Sequence, residues 1–205
     1  MTDIPWLTLP QAEFEEQYST SSTPSRFFLN AALARALAPT LSRIPTRAEL
    51  EEKPFLLELS LPLPKKLRFY AFAATQHASE RQVGTFKIQL TSGIDAGGGG
   101  ARRLRFDRSE GIRPILLGYV RDLHVFILWD ADMHDSGPGY PFSKSVQAPP
   151  EVVWPAIANG MAEGTRRLRT DLGVETIISA RQDRLVDAIV ERISASTRSL
   201  IGRGE

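Results

Sequence analysis

Two short apolar runs, residues 115–120 (ILLGYV) and 125–129 (VFILW), are separated by a turn that contains Arg121 and Asp122. Runs this short, bounded by polar residues, fit strands of a sheet covered on both faces better than helices. A link of a few residues joins antiparallel neighbours, because a parallel return needs a crossover of a dozen residues or more. The pair therefore predicts a central antiparallel hairpin, and the rest of the chain has to be arranged around it.

Other segments extend the sheet. Residues 55–63 (FLLELSLPL) and 67–74 (LRFYAFAA) are predicted strands, with Pro62, Pro64, Lys65 and Lys66 favouring a turn between them. In the second, Arg68, Tyr70 and Phe72 share one face and Leu67, Phe69 and Ala71 the other. Residues 84–90 place Phe86, Ile88 and Leu90 on one face, Lys87 and Gln89 on the opposite one. Four consecutive glycines at 97–100 make a flexible loop, residues 102–108 follow as an edge strand, and residues 174–180 form a late strand. Residues 26–38 are Ala/Leu-rich at helical spacing and stop near Pro39. Residues 151–167 read as helical, started or interrupted by Pro155 and Gly160. Residues 182–193 place Leu185, Val186, Ile189, Val190 and Ile193 on one helical stripe. Thr46 and Glu49 have capping-box spacing before a short turn. The first 25 residues read as a polar lead-in, and the tail from Ser194 as frayed. The sum is an α+β protein with a mainly antiparallel sheet, open to barrel-like closure and flanked by N- and C-terminal helices. It divides into a helical segment (1–50), a core (51–193) and a polar tail (194–205).

Composition excludes several functions. The 205 residues include no cysteine, so thiol nucleophiles, disulfides and cysteine-bound zinc are out. Only His77, His124 and His134 can serve as histidine ligands or bases. No apolar run reaches membrane-spanning length, and the N-terminus lacks a signal-peptide pattern, so a cytoplasmic protein without a membrane partner is expected. No Gly-x-Ser-x-Gly elbow and no Walker A lysine are present. Net charge is +1 but uneven: residues 65–121 carry eleven Lys/Arg against four Asp/Glu, a net of +7, between flanks of −3 each. A basic centre between acidic flanks suits a polyanion, and is equally what a solvated Arg-rich loop looks like.

The phrases LRFYAFAATQHASER with FKIQL, LLGYVRDLHVFILWDADMH, FSKSVQ and VETIISARQDRLVDAI occur in this order. In order and spacing they resemble the methylase-associated X1 type of domain from bacterial restriction–modification loci, over roughly residues 55–193. The resemblance implies a role in DNA modification, restriction or phage defence, beside a methyltransferase or nuclease encoded nearby. It does not say whether such a domain reads DNA or cuts it. In relatives an acid often stands two residues before the lysine of the Lys-Ile-Gln triplet; this chain has Thr85 there.

Two functional readings follow. A DNA-binding module would use the Gly/Arg-rich loop and the basic sheet face, through Arg68, Lys87, Arg102, Arg103, Arg105, Arg108 and Lys144. Tyr140 and Phe142, in a Gly/Pro loop, would supply stacking surfaces, and Trp129 is more readily core. Arg166, Arg167 and Arg169 make a second basic cluster. A Mg-dependent PD-(D/E)xK-like endonuclease would instead use Asp130 and Lys144 as catalytic residues, with Asp130, Asp132 and His134 holding the metal. Against it, Phe142 rather than an acid precedes Lys144 by two, and Thr85 stands in the same relation to Lys87. The third reading is a non-catalytic interaction subunit whose helices dock a methyltransferase, a nuclease or a second copy in a homodimer.

Overall fold

A computed structural model gives the fold and describes residues 5–19, 23–76, 83–97, 102–135, 137–168 and 173–202. Three helices come first: α1 (Pro5–Thr8), α2 (Gln11–Tyr18) and α3 (Arg26–Ala36). Strands β1 (Phe55–Glu58), β2 (Lys66–Ala73), β3 (Thr75–Gln76), β4 (Phe86–Leu90), β5 (Ile94–Asp95) and β6 (Arg103–Arg105) follow. The hairpin of β7 (Arg113–Val120) and β8 (Val125–Trp129) leads into α4 (Ala131–His134), β9 (Tyr140–Pro141) and β10 (Lys144–Ala148). Next come α5 (Pro150–Asn159), β11 (Met161–Arg167), β12 (Val174–Arg181) and α6 (Leu185–Ile201).

The predicted hairpin forms, with Leu116 opposite Trp129 and Val120 opposite Val125. It lies at the centre of a six-stranded sheet of order β1-β2-β7-β8-β12-β11. Strands β2 and β7 are parallel, Leu67 facing Arg113; the other pairs are antiparallel. Two three-stranded antiparallel sheets, β10-β4-β3 and β5-β6-β9, lie apart from it. The fold is α+β. The barrel-like closure is corrected: the large sheet stays open, because Leu41 bridges Leu59 and Ser42 N–H donates to Glu58 O along the β1 edge, away from β11.

Period-two alternation buries both faces of the central strands. Phe69, Leu117, Phe126 and Ile178 face a core shared with Phe28, Leu33 and Ile189 of the helices. Tyr70, Leu116, Ile127 and Ile177 face a second core shared with Ile88, Leu104, Val146 and Val153. The molecule is thus layered as helices, large sheet, then the small sheets with α5. Gly118 lets the outer layer approach: a Cβ there would lie 2.8 Å from Ile88 Cγ2 and 3.1 Å from Trp129 Cζ3.

Three local expectations are corrected. The segment 151–167 is a helix only to Asn159; Gly160 takes φ +84°, which ends it, and β11 begins at Met161. The tail from Ser194 is not frayed: α6 runs to Ile201, since Ala195 and Ser196 are buried and the Ser194 and Thr197 hydroxyls donate to carbonyls four residues back. The polar lead-in contains α2, whose Phe14 is fully buried and stacks on Phe28 at 5.1 Å. Arg35 holds it there, with its guanidinium over the Phe14 ring and hydrogen bonds to Trp6 O and Leu9 O. The capping box forms as read, Glu49 Oε2 accepting from Thr46 N–H at 2.7 Å.

Lys53 is an unusual cation in this frame. Its Nζ lies 3.5 Å from the centre of the Phe72 ring. Burial, with Arg26 adding repulsion, brings its pKa down to about 8. Between that value and the ordinary lysine range of about 10.4 the unfolded chain binds more protons, so stability should rise with pH across this window. Below it, the charged lysine lowers stability by about 1–3 kcal/mol after allowance for the cation–π contact. Lys53→Met is expected to raise the urea midpoint at neutral pH and to flatten the slope between pH about 8 and 10. Identical pH profiles for the two proteins would refute it.

Candidate functional site

The acidic end of the hairpin is a buried ionic cluster. Asp130 caps α4: its Oδ1 accepts from Asp132 N–H at 3.0 Å, the ordinary way a carboxylate satisfies a helix start. Its Oδ2 faces Arg192 NH2 at 3.2 Å. Glu175, at the start of β12, accepts from Asp130 N–H at 3.0 Å and from His134 Nε2 at 2.9 Å through the same oxygen. Asp130, His134, Glu175 and Arg192 are all at most 4% exposed. Burial lowers the Arg192 pKa, and Asp130 and Glu175 oppose that shift. Arg192 also donates to Ser196 Oγ and to Thr176 O, so its fork is filled on several sides. The two carboxylates and the arginine are linked through these bonds, while Glu175 Oε2 and His134 Nδ1 are buried without a hydrogen-bond partner.

The remaining acids of this stretch have other partners. Asp132 and Asp135 pair with Arg108 at 2.7 and 2.5 Å, and Asp135 also accepts from Phe106 N–H. Lys144 Nζ donates to His134 O at 3.2 Å. Burial lowers its pKa, against the attraction of Glu175. The candidate metal set of Asp130, Asp132 and His134 is therefore divided among Arg192, Arg108 and Glu175. Among the described residues no group of three or more such side chains is placed to hold a metal ion. Asp130 and Lys144, the candidate catalytic pair, each have a structural partner instead of each other.

The arginines lie on the ribbon of β6 and β9. Leu104 points into the core, and alternation sends Arg103 and Arg105 outward. Gly139 allows the ribbon to close: it has φ +83°, and a Cβ there would lie 2.4 Å from Leu104 O. Arg103 donates through Nε to Pro138 O and through NH2 to Gly139 O, while Arg105 NH2 donates to Gly137 O. The Arg102 guanidinium sits over the Phe142 ring at 4.9 Å, and Phe142 is 45% exposed. Beside this ribbon, β4 turns Lys87 and Gln89 outward opposite Gln147 and Ser145 of β10.

Two candidates for DNA contact are drawn inward by the packing. Arg68 is 7% exposed and tied to Asp107 at 3.1 Å and to Ser109. Tyr140 is 1% exposed, packs on Phe106 and donates its hydroxyl to Ser92 O at 2.6 Å. Trp129 is core, as expected, and donates Nε1–H to Gln147 O. Arg108 is neutralised by its two acids. Arg166 donates to Gln147 O. His77, Arg169 and the glycines at 98–100 lie outside the described residues.

Glu175 and Arg192 were not singled out from sequence, yet both carried a signal. Glu175 is in phase with the inward-facing Ile177 and Ser179 of its strand. Arg192 falls on the helical stripe of Leu185, Ala188, Ile189 and Ala195. A charge in phase with apolar positions marks a buried ion that needs a partner.

The family model described as methylase-associated X1 matches residues 65–189, from β2 into the start of α6, which takes in the β6–β9 ribbon and the ionic cluster apart from Arg192. No curated protein and no solved structure matches the chain. No helix among the described residues is long and apolar enough to cross a membrane.

Proposed function

The chain belongs to the methylase-associated X1 family, and on that premise we propose that it is a DNA-contacting accessory domain of a restriction–modification system. It works beside a methylase and contacts duplex DNA through the β6–β9 ribbon. One observation carries the reading. Among the described residues Arg102, Arg103 and Arg105 have no carboxylate within salt-bridge distance, and the carbonyls of residues 137–139 and the Phe142 ring hold them in place. An arginine anchored by one or two of its five donors keeps its charge and its remaining donors for a phosphate, and loses less freedom on binding. Lys87 lies on β4 of the neighbouring small sheet. The acids that a nuclease would need are committed elsewhere, so the reading is one of contact rather than cleavage.

Fluorescence anisotropy with a labelled duplex at several salt concentrations tests this. Replacing Arg102, Arg103 and Arg105 together with Ala should weaken binding alike for unrelated sequences. It should also lower the slope of log affinity against log salt by about 2–3, roughly one per lost phosphate contact. Circular dichroism would check that the ribbon survives. An unchanged slope in a folded variant would falsify the assignment.

A further inference from the structure

A cleft of about 440 Å³ opens where the ends of β2 and β7, the β3–β4 hairpin and α5 meet. Its wall is Trp154, which is 47% exposed although its helix neighbours Val152, Val153 and Ala156 are buried. The Phe86 ring meets the indole at 6.0 Å and 65°, which steadies it while leaving one face to the cleft. Ala73 and Leu123 line the space, and Thr75, Gln76, Arg121 and Asp122 bring polar groups to it; Arg121 pairs with Asp122 at 3.0 Å, and Gln76 donates its amide to Gly84 O and keeps its carbonyl oxygen. An apolar slot of this size with an aromatic wall and a few polar groups suits a small, flat, heteroaromatic ligand.

The position of the cleft narrows the ligand further. Strand β4 begins at Phe86, in the cleft, and ends at Leu90, whose carbonyl accepts from Ser143 N–H beside Phe142 and Arg102. Four strand residues span about 14 Å, close to four nucleotide steps along one DNA strand. Between the two ends the outward residues of the β4–β10 pair are Lys87, Gln89, Ser145 and Gln147. A DNA strand lying on the arginines would have a base within reach of the cleft.

We propose that this cleft binds a nucleobase, stacked on Trp154 and met at its edge by Thr75 and Gln76, and that in the DNA complex the base is one turned out of the duplex. The second half rests on the DNA-contact reading above; the first half stands without it. Enzymes that act on a base take it out of the stack, and stacking on an aromatic side chain offsets part of that cost at about 1–3 kcal/mol per base.

Trp6 and Trp129 are 6% and 1% exposed, so a change in indole emission on ligand contact reports chiefly on Trp154. The probes are the common nucleoside monophosphates and their base-methylated forms, excited at the red edge of indole absorption. Saturable quenching is expected for at least one, weakened about tenfold or more by Thr75→Phe, which fills the rim from an exposed strand position. Calorimetry with Trp154→Leu should show a similar loss, and a duplex with an unpaired base should bind tighter than its fully paired parent only when the cleft is intact. If no nucleotide gives saturable quenching while duplex binding is normal, the base site is wrong and the arginine assignment stands. Binding that both variants leave unchanged places the base elsewhere and also overturns the proposal. Nucleotide binding with no duplex binding at all keeps the cleft and removes the DNA-contact reading.

Discussion

Arg192→Met should lower the free energy of unfolding by about 3–5 kcal/mol, which for a chain of this length is a fall in Tm of roughly 6–20 °C. The reason is the company Arg192 keeps. It faces Asp130 at 3.2 Å in a region where both are at most 3% exposed. Removing the cation leaves Asp130 buried beside the second carboxylate, Glu175, with only backbone donors and His134 to compensate. The double variant Asp130→Asn with Arg192→Met removes both charges and should recover much of the loss, because a neutral, well-packed pair avoids the desolvation of two ions. Urea denaturation of the two variants measures both effects. A single variant within about 1 kcal/mol of the parent would mean that water reaches the cluster and that these charges do not hold the fold.

The second large effect is expected at Trp129. It is the largest fully buried side chain and lies in the core between the large sheet and the small ones. Trp129→Ala should cost about 3–5 kcal/mol for the cavity alone. The loss should not be even across the molecule. Trp129 Nε1 donates to Gln147 O of β10, which pairs with β4, so the ring fastens the outer layer to the central hairpin. Amide exchange in β4 and β10 should therefore speed up more than in β7 and β12. Trp129→Phe keeps most of the packing and gives up the bond, at about 1–2 kcal/mol. Uniform deprotection would show that the layers unfold as one unit and that the indole bond is incidental.

The hairpin, β2, β4, α3 and the late strand and helix were legible because their apolar periodicity is strong and local. What escaped the sequence was decided by tertiary partners. Segment 161–167 has no apolar pattern of its own, and becomes a strand because β12 offers it a complete ladder. The tail of α6 is polar, but Ala195 and Ser196 find a buried surface. Tyr140 sits in a Gly/Pro loop and reads as exposed, yet its pairing with Leu104 turns the ring inward. The site was half legible. The basic segment stands out by charge alone, but charge does not say that Arg108 faces two acids or that Arg68 meets Asp107. Alternation does predict that Arg68 shares a face with Tyr70 and Phe72; the missing knowledge was that this face is covered. The cleft was least visible, since Trp154, Thr75 and Leu123 come from three separate segments with no shared pattern.

The parallel pairing of β2 with β7 has a consequence for the protein as it is made. Leu67 waits for Arg113, and Phe69 for Ile115, so β2 emerges well before its neighbour exists. At about 5–20 residues per second the ribosome leaves it half-partnered for some seconds. During that interval only the β1 edge of the strand can be paired; α3 is already made and can cover Phe69, while Tyr70 and Phe72 lack the outer layer that later covers them. A newborn chain of this kind is a natural client for a holding chaperone, and its yield in a cell should depend on how well that short period of exposure is supervised.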